Sequence, residues 1–303
     1  MTDDKTPTSS SADTGDASAG GKKRSRYSPV RLIRNIVAIY LVYCAIVFFA
    51  QRWLIFPDWI TPEPTADEKY DATTTVLTRD IDDGKVIAWF IPAPGASAER
   101  PKPLVMFFHG NAEIIDTQED RIAGYRALGC NVLIPEYRGY GRSAGQPSQD
   151  ALVDDALYFL DLALNRPEVD GHRVVIHGRS MGGGIAAQVA ARHKPNALIL
   201  GSTFTSMRTL GARKALVPGF LVRHPMDTSA VLKDLDVPLI IFHGNQDNIV
   251  SVEYGRELNR IARNSRLVEL NCSHNDFPGD EEDRYWSEIR TFLEANNILP
   301  SRQ

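Results

Sequence analysis

From Lys85 onward, short runs of Val, Ile and Leu recur between segments with helical spacing, and this alternation limits the possible folds more than any other feature. The runs Lys85–Ile91, Leu104–Phe108, Asn131–Pro135, Arg173–His177, Ala197–Leu200, Pro238–Phe242 and Arg266–Leu270 predict strands. Most lack the in–out alternation of a half-exposed strand, so both faces must be covered, as in a parallel sheet between helical layers. Helical patterns near Arg121–Leu128, Gln149–Leu164, Gly183–Arg192 and Val252–Ala262 supply the crossovers, and Glu281–Ala295 predicts a closing helix. A mainly parallel central sheet flanked by helices follows. In such sheets chemistry gathers beyond the carboxyl ends of the strands.

The most specific string at such an end is Gly178-Arg179-Ser180-Met181-Gly182, which follows a predicted strand and opens a predicted helix. In that setting G-x-S-x-G forms a sharp turn that exposes the serine hydroxyl, with glycines where backbone and helix approach closely. A nucleophilic serine needs a base, and the base needs an acid to orient it, in chain order Ser, Asp or Glu, His. Asp247 lies just past Pro238–Phe242 and His274 just past Arg266–Leu270, which brings both to the sheet edge that carries Ser180. Of the seven histidines the other six sit before glycines, before the turn or in surface segments, and Asp276 is a competing acid better suited to bracing the His274 loop. The oxyanion of acyl transfer needs two preorganised N–H donors. Met181, the residue after the nucleophile, supplies one, and Asn111 in His109-Gly110-Asn111-Ala112 is the candidate for the other.

Before this body lies an apolar segment. Ile36–Ala50 carries no charge and the apolar character resumes at Trp53–Phe56, so Ile36–Phe56 as a helix would span about 31 Å, close to a bilayer's hydrocarbon thickness. A buried soluble helix would not be apolar all round with basic residues directly before it, and a signal peptide would be followed by a small-residue cleavage site. An uncleaved transmembrane anchor over residues 29–57 is therefore expected, between a disordered tail at 1–28 and a folded domain at 58–303. Residues 1–35 carry seven Lys/Arg against four Asp, which predicts a cytoplasmic N-terminus and a non-cytoplasmic catalytic domain, periplasmic in a bacterium. With a net charge of −4 overall, the remainder is near −7, which argues against nucleic acid as a ligand. Three scattered cysteines form neither a disulfide framework nor a zinc site.

Taken together, the segment Gln51–Pro57, His109–Ala112, Tyr137–Gly145, Pro147-Ser148, the Ser180 turn, His243–Asp247 and His274–Asp276 resemble the α/β-hydrolase superfamily, and more narrowly its membrane-anchored α/β-hydrolase-domain (ABHD-like) serine hydrolases. The resemblance covers about Gln51 to Ala295 and implies an α/β-hydrolase fold. It further implies hydrolysis of esters or thioesters, with lysophospholipases and protein depalmitoylases among the relatives, and Ser180, Asp247 and His274 in the triad positions. Cys272-Ser273 before His274 departs from the small residues common there. Similar domains are also labelled serine aminopeptidases, and that rival would need an acidic pair such as Glu113 and Glu136 to hold a peptide amine. A membrane-tethered module without turnover would predict a broken triad.

Between two core strands, residues 203–236 interrupt the pattern and predict a small helical cap, with Leu216, Val217, Phe220 and Leu221 as the wall of an acyl groove. The expected partners are a small-molecule or lipid acyl substrate and the membrane; no cofactor and no metal is implied.

Overall fold

In a computed structural model, residues 29–65 and 68–301 are described; the predicted tail at 1–28, including most of the basic cluster, lies outside them. The first element is a helix α1 (Pro29–Ile55), long and apolar enough to cross a membrane by length and composition. The chain divides into two compact units, residues 1–43 and 44–303. The end of α1 belongs to the larger unit and packs into it: Phe56 is wholly buried among core side chains and Ile55 packs against the same cluster.

The sheet contains β1 (Thr75–Ile81), β2 (Gly84–Ile91), β3 (Lys102–Phe108), β4 (Asn131–Pro135), β5 (Val169–Arg179), β6 (Ala197–Gly201), β7 (Leu239–Gly244) and β8 (Ser265–Leu270). Their spatial order is β1-β2-β4-β3-β5-β6-β7-β8. The pairs β1–β2 and β2–β4 are antiparallel, and every other pair is parallel. This is the expected mainly parallel sheet, with an antiparallel edge added. Sequence patterning missed β1, a partly exposed strand in which Arg79 and Asp80 interrupt the apolar residues. It closes on β2 through Asp82-Asp83, and Gly84 takes the positive φ that the tight turn needs.

The crossovers are α2 (Glu119–Ala127), α3 (Gln149–Leu164), α4 (Met181–Arg192), α5 (Met207–Ala215), α6 (Thr228–Asp234) and α7 (Val252–Ile261), followed by α8 (Glu282–Ala295). Two apolar clusters divide alternate residues of the strands: Leu104, Met106 and Phe108 of β3 face one, Val105 and Phe107 the other. Successive strand side chains point to opposite faces, so each cluster is one face of the sheet under its helical layer. Over residues 203–236, where a cap is expected, lie two short helices, α5 and α6, joined by a loop with a 3-10 turn at Gly219–Leu221, and α6 packs on α4 and α7. Ser206 caps α5 by accepting from Thr209 N at 3.1 Å, and Leu216 ends it in the left-handed region.

Candidate active site

At the junction of β5 and α4, Ser180 has φ 53° and ψ −119°, a conformation that L side chains rarely hold and that costs about 1–3 kcal/mol. Its surroundings over-determine it. Ser180 N donates to Gly201 O at 2.8 Å, and the Thr203 hydroxyl donates to Ser180 O at 2.8 Å. The glycines around it are obligatory for contact: a side chain at Gly178 would collide with the Gly182 carbonyl, and one at Gly182 with the carbonyls of Phe108 and His109.

Ser180 Oγ lies 2.9 Å from His274 Nε2, and His274 Nδ1 lies 2.6 Å from Asp247 Oδ2. The loops after β5, β7 and β8 converge here because parallel strands deliver their carboxyl ends to one edge. Asp247 Oδ1 accepts the N–H groups of Ile249 at 2.9 Å and Val250 at 2.7 Å. Burial opposes the Asp247 charge, but the His274 hydrogen bond and these N–H groups hold its pKa below the usual value. An ionised Asp247 keeps the Nδ1 proton on His274, leaving Nε2 to accept from the serine hydroxyl. Asp276 is engaged elsewhere: its Oδ1 accepts Ser273 N at 2.7 Å and Ser273 Oγ at 2.6 Å, bracing the loop.

Met181 opens α4, so its N–H has no acceptor within the helix. Asn111 follows β3, and its side chain is hydrogen-bonded through both its nitrogen and its oxygen. Nδ2 donates to Ile55 O at 2.9 Å, while Oδ1 accepts from the Tyr140 hydroxyl at 2.7 Å and from Ala112 N at 3.2 Å. These contacts fix the loop that carries the Asn111 backbone N–H. Beneath it, the buried His109 has Nε2 3.1 Å from Glu136 Oε1 and Nδ1 2.9 Å from Gly110 O. Both ring nitrogens face acceptors, which favours the imidazolium. Burial alone would lower the His109 pKa, but the Glu136 hydrogen bond and charge outweigh it and the net direction is up.

Sequence reasoning passed over Arg179, the variable residue of the serine turn. Its guanidinium pairs with Glu113 and donates to the His274 carbonyl, tying the Asn111 loop to the histidine loop. Glu113 also accepts from Gly110 N at 2.8 Å, and burial is outweighed by Arg179 in holding its pKa low. Glu113 and Glu136, weighed as amine holders for a peptidase, are thus both occupied by protein partners. No local pattern marks them; their partners lie up to 66 residues away.

A cavity of about 250 Å³ opens on Ser180, lined by Met181, Phe204, Met207, Leu210 and Val250 among others. The expected groove residues divide. Val217 is buried and lines an adjoining cavity, whereas Leu216 and Phe220 are 71% and 83% exposed and line neither. The left-handed turn at Leu216 directs that side chain outward, and Phe220 sits on the outer side of the 3-10 turn. Leu221 is half-buried and meets the body through its carbonyl, which accepts from Gln51 Nε2 at 2.7 Å.

Residues 99–225 match the Hydrolase_4 family, described as Serine aminopeptidase, S33. The chain is similar to the alpha/beta hydrolase domain-containing protein WAV2 of Arabidopsis thaliana, 30% identical over 72% of this chain and 78% of that protein. It is also similar to the lysophosphatidylserine lipase ABHD12 of Rattus norvegicus, 28% identical over 85% of this chain and 76% of the other. Among solved structures, the esterase PF2001 of Pyrococcus furiosus superposes with a TM-score of 0.64 at 20% identity, over 78% of this chain and 96% of that one.

Proposed function

Because the chain belongs to the α/β-hydrolase family and is a hydrolase of its esterase- and lipase-like branch, we propose that it cleaves carboxylic esters or thioesters of acyl substrates through Ser180, His274 and Asp247. The observation that carries this reading is the continuous relay of 2.9 Å from Ser180 Oγ to His274 Nε2 and 2.6 Å from His274 Nδ1 to Asp247 Oδ2.

In this reading Ser180 Oγ attacks the carbonyl carbon while its proton passes to His274 Nε2. The oxyanion is held by the N–H groups of Asn111 and Met181, and Asp247 stabilises the imidazolium. His274 then gives the proton to the departing alcohol or thiol, leaving an acyl ester on Ser180. Water enters, loses a proton to His274 and releases the acid as Ser180 Oγ regains its proton. The buried Glu136 is taken up by His109 and Ile115 N, and the Glu113 charge is paired with Arg179, which weighs against the aminopeptidase alternative.

The helix α1 would anchor the enzyme in a membrane with the N-terminus cytoplasmic and the catalytic body on the other side, a reading supported by its 27 apolar-rich residues and the basic residues before it. Reaction of the full chain with a fluorophosphonate tests the chemistry: labelling is expected at Ser180 and lost in Ser180→Ala, and turnover retained by Ser180→Ala would refute it. Protection of the catalytic body from protease in intact bacterial spheroplasts would refute the orientation.

A further inference from the structure

Met207 and Leu210 line the cavity at Ser180, and the same two side chains line a second cavity of about 200 Å³. One wall of the second cavity is the end of α1, through Val47, Leu54 and Ile55. The other is the cap, through Gly211, Val217 and Val222. Among the described residues that line it, Gln51 and Lys214 alone have polar side chains, and both are engaged elsewhere. Gln51 Nε2 donates to Leu221 O at 2.7 Å and to Phe48 O at 3.3 Å, its Oε1 accepts Arg223 N at 2.8 Å, and the Lys214 ammonium donates to Ile249 O. A space without free hydrogen-bonding groups stays dry and accepts hydrocarbon. Leu54, on its rim, is 63% exposed and continues into the apolar surface of α1.

The opposite flank of the catalytic cavity is polar. A pocket of about 320 Å³ shares Glu113, Arg179 and Asn275 with it and is also lined by Arg121 and Asp120. The nucleophile thus stands between an alkyl-accepting space and a polar one, the arrangement an amphiphilic ester requires.

Resting on the reading of Ser180 as nucleophile, we propose that the cavity between α1 and the cap is the acyl-chain subsite of the enzyme. The last three turns of the apolar helix form one of its walls, and it takes a single medium-length acyl chain whose carbonyl lies at Ser180. The chain passes Met207 and Leu210 to reach it, and the polar leaving group occupies the Arg121–Arg179 side.

The test uses the full chain in detergent micelles with p-nitrophenyl esters from acetyl to decanoyl. A Cβ at Gly211 meets Val222 Cγ2 at 3.7 Å, an ordinary contact, so Gly211→Leu can be built and fills the cavity. It is expected to lower the decanoyl-to-acetyl ratio of kcat/KM about tenfold, the worth of roughly two buried methylenes, chiefly through KM. Val222→Ala enlarges the same space and should move the optimum to longer chains. If Gly211→Leu fails to label with fluorophosphonate, Val222→Ala decides alone. An unchanged chain-length profile in a correctly labelled variant overturns the subsite while turnover still depends on Ser180; turnover that survives Ser180→Ala overturns the reading of Ser180 as nucleophile on which it rests.

Discussion

Glu136 offers the sharpest test of how the Asn111 loop is held. Its carboxylate and the His109 ring have side chains 0% exposed, 3.1 Å apart, with the second carboxylate oxygen accepting Ile115 N at 3.2 Å. Glu136→Ala leaves His109 with no hydrogen-bonded anion and Ile115 N without its Glu136 acceptor, and breaking a buried pair from one side costs about 3–5 kcal/mol. For a body of this size that lowers Tm by about 6–20 °C. Glu136→Gln is different. Its amide can donate to a neutral His109 Nε2 while its oxygen accepts Ile115 N and His109 Nδ1–H donates to Gly110 O, so every group keeps a partner and only the charge is lost. Because the folded pKa of His109 is raised, the pair's contribution is complete below the unfolded value of about 6.5 and fades as pH rises through the folded value. Thermal unfolding of wild type, Glu136→Ala and Glu136→Gln, followed by circular dichroism from pH 5.5 to 9, should show three results. The alanine variant is much less stable than the glutamine variant, wild type loses stability toward alkaline pH, and Glu136→Gln has lost that slope. An alanine variant within about 1 kcal/mol of wild type, or a glutamine variant with the same alkaline slope, would refute the imidazolium–carboxylate assignment.

Asp247→Asn should reduce kcat by about 10⁴ through the wrong imidazole tautomer, while Asp276→Asn, which loses only a loop brace, stays within about tenfold of wild type in steady-state ester assays. Asn111→Ala removes the bonds to Ile55 O and Tyr140 and lets the donor N–H drift, so kcat should fall about 10²-fold with a smaller change in KM. Phe56→Ala empties a fully buried site and should destabilise the catalytic body by about 3–5 kcal/mol in chemical denaturation, although the residue lies just past the apolar helix.

Strands such as β3, β4, β6 and β7 were legible because burial on both faces leaves a continuous Val, Ile and Leu run. β1 was not, since a partly exposed edge strand carries charges, and the polar first half of β5 hid its start at Val169. Ser180, Asp247 and His274 could be picked out because each follows a strand that ends at the same edge, and the structure brings all three within hydrogen-bonding distance. Arg179, Gln51 and the His109–Glu136 pair could not, because their roles come from contacts between segments far apart in the chain. The cap residues divide for a related reason: apolar spacing marks Leu216 to Leu221 as apolar but does not say that Val217 turns inward while Leu216 and Phe220 face outward.

The hydrogen bond from Asn111 to the Ile55 carbonyl has a consequence for exchanging the helix. Terminal carbonyls of a helix need partners from outside it, and here one partner is the loop beside Ser180. Sliding the helix by one residue turns its faces by about 100° and advances it about 1.5 Å, which takes Ile55 O away from Asn111 and Gln51 away from the cap. The end of α1 is thus phased to the body it packs on, and only helix exchanges that keep Gln51 and Ile55 in register would yield a working chimera.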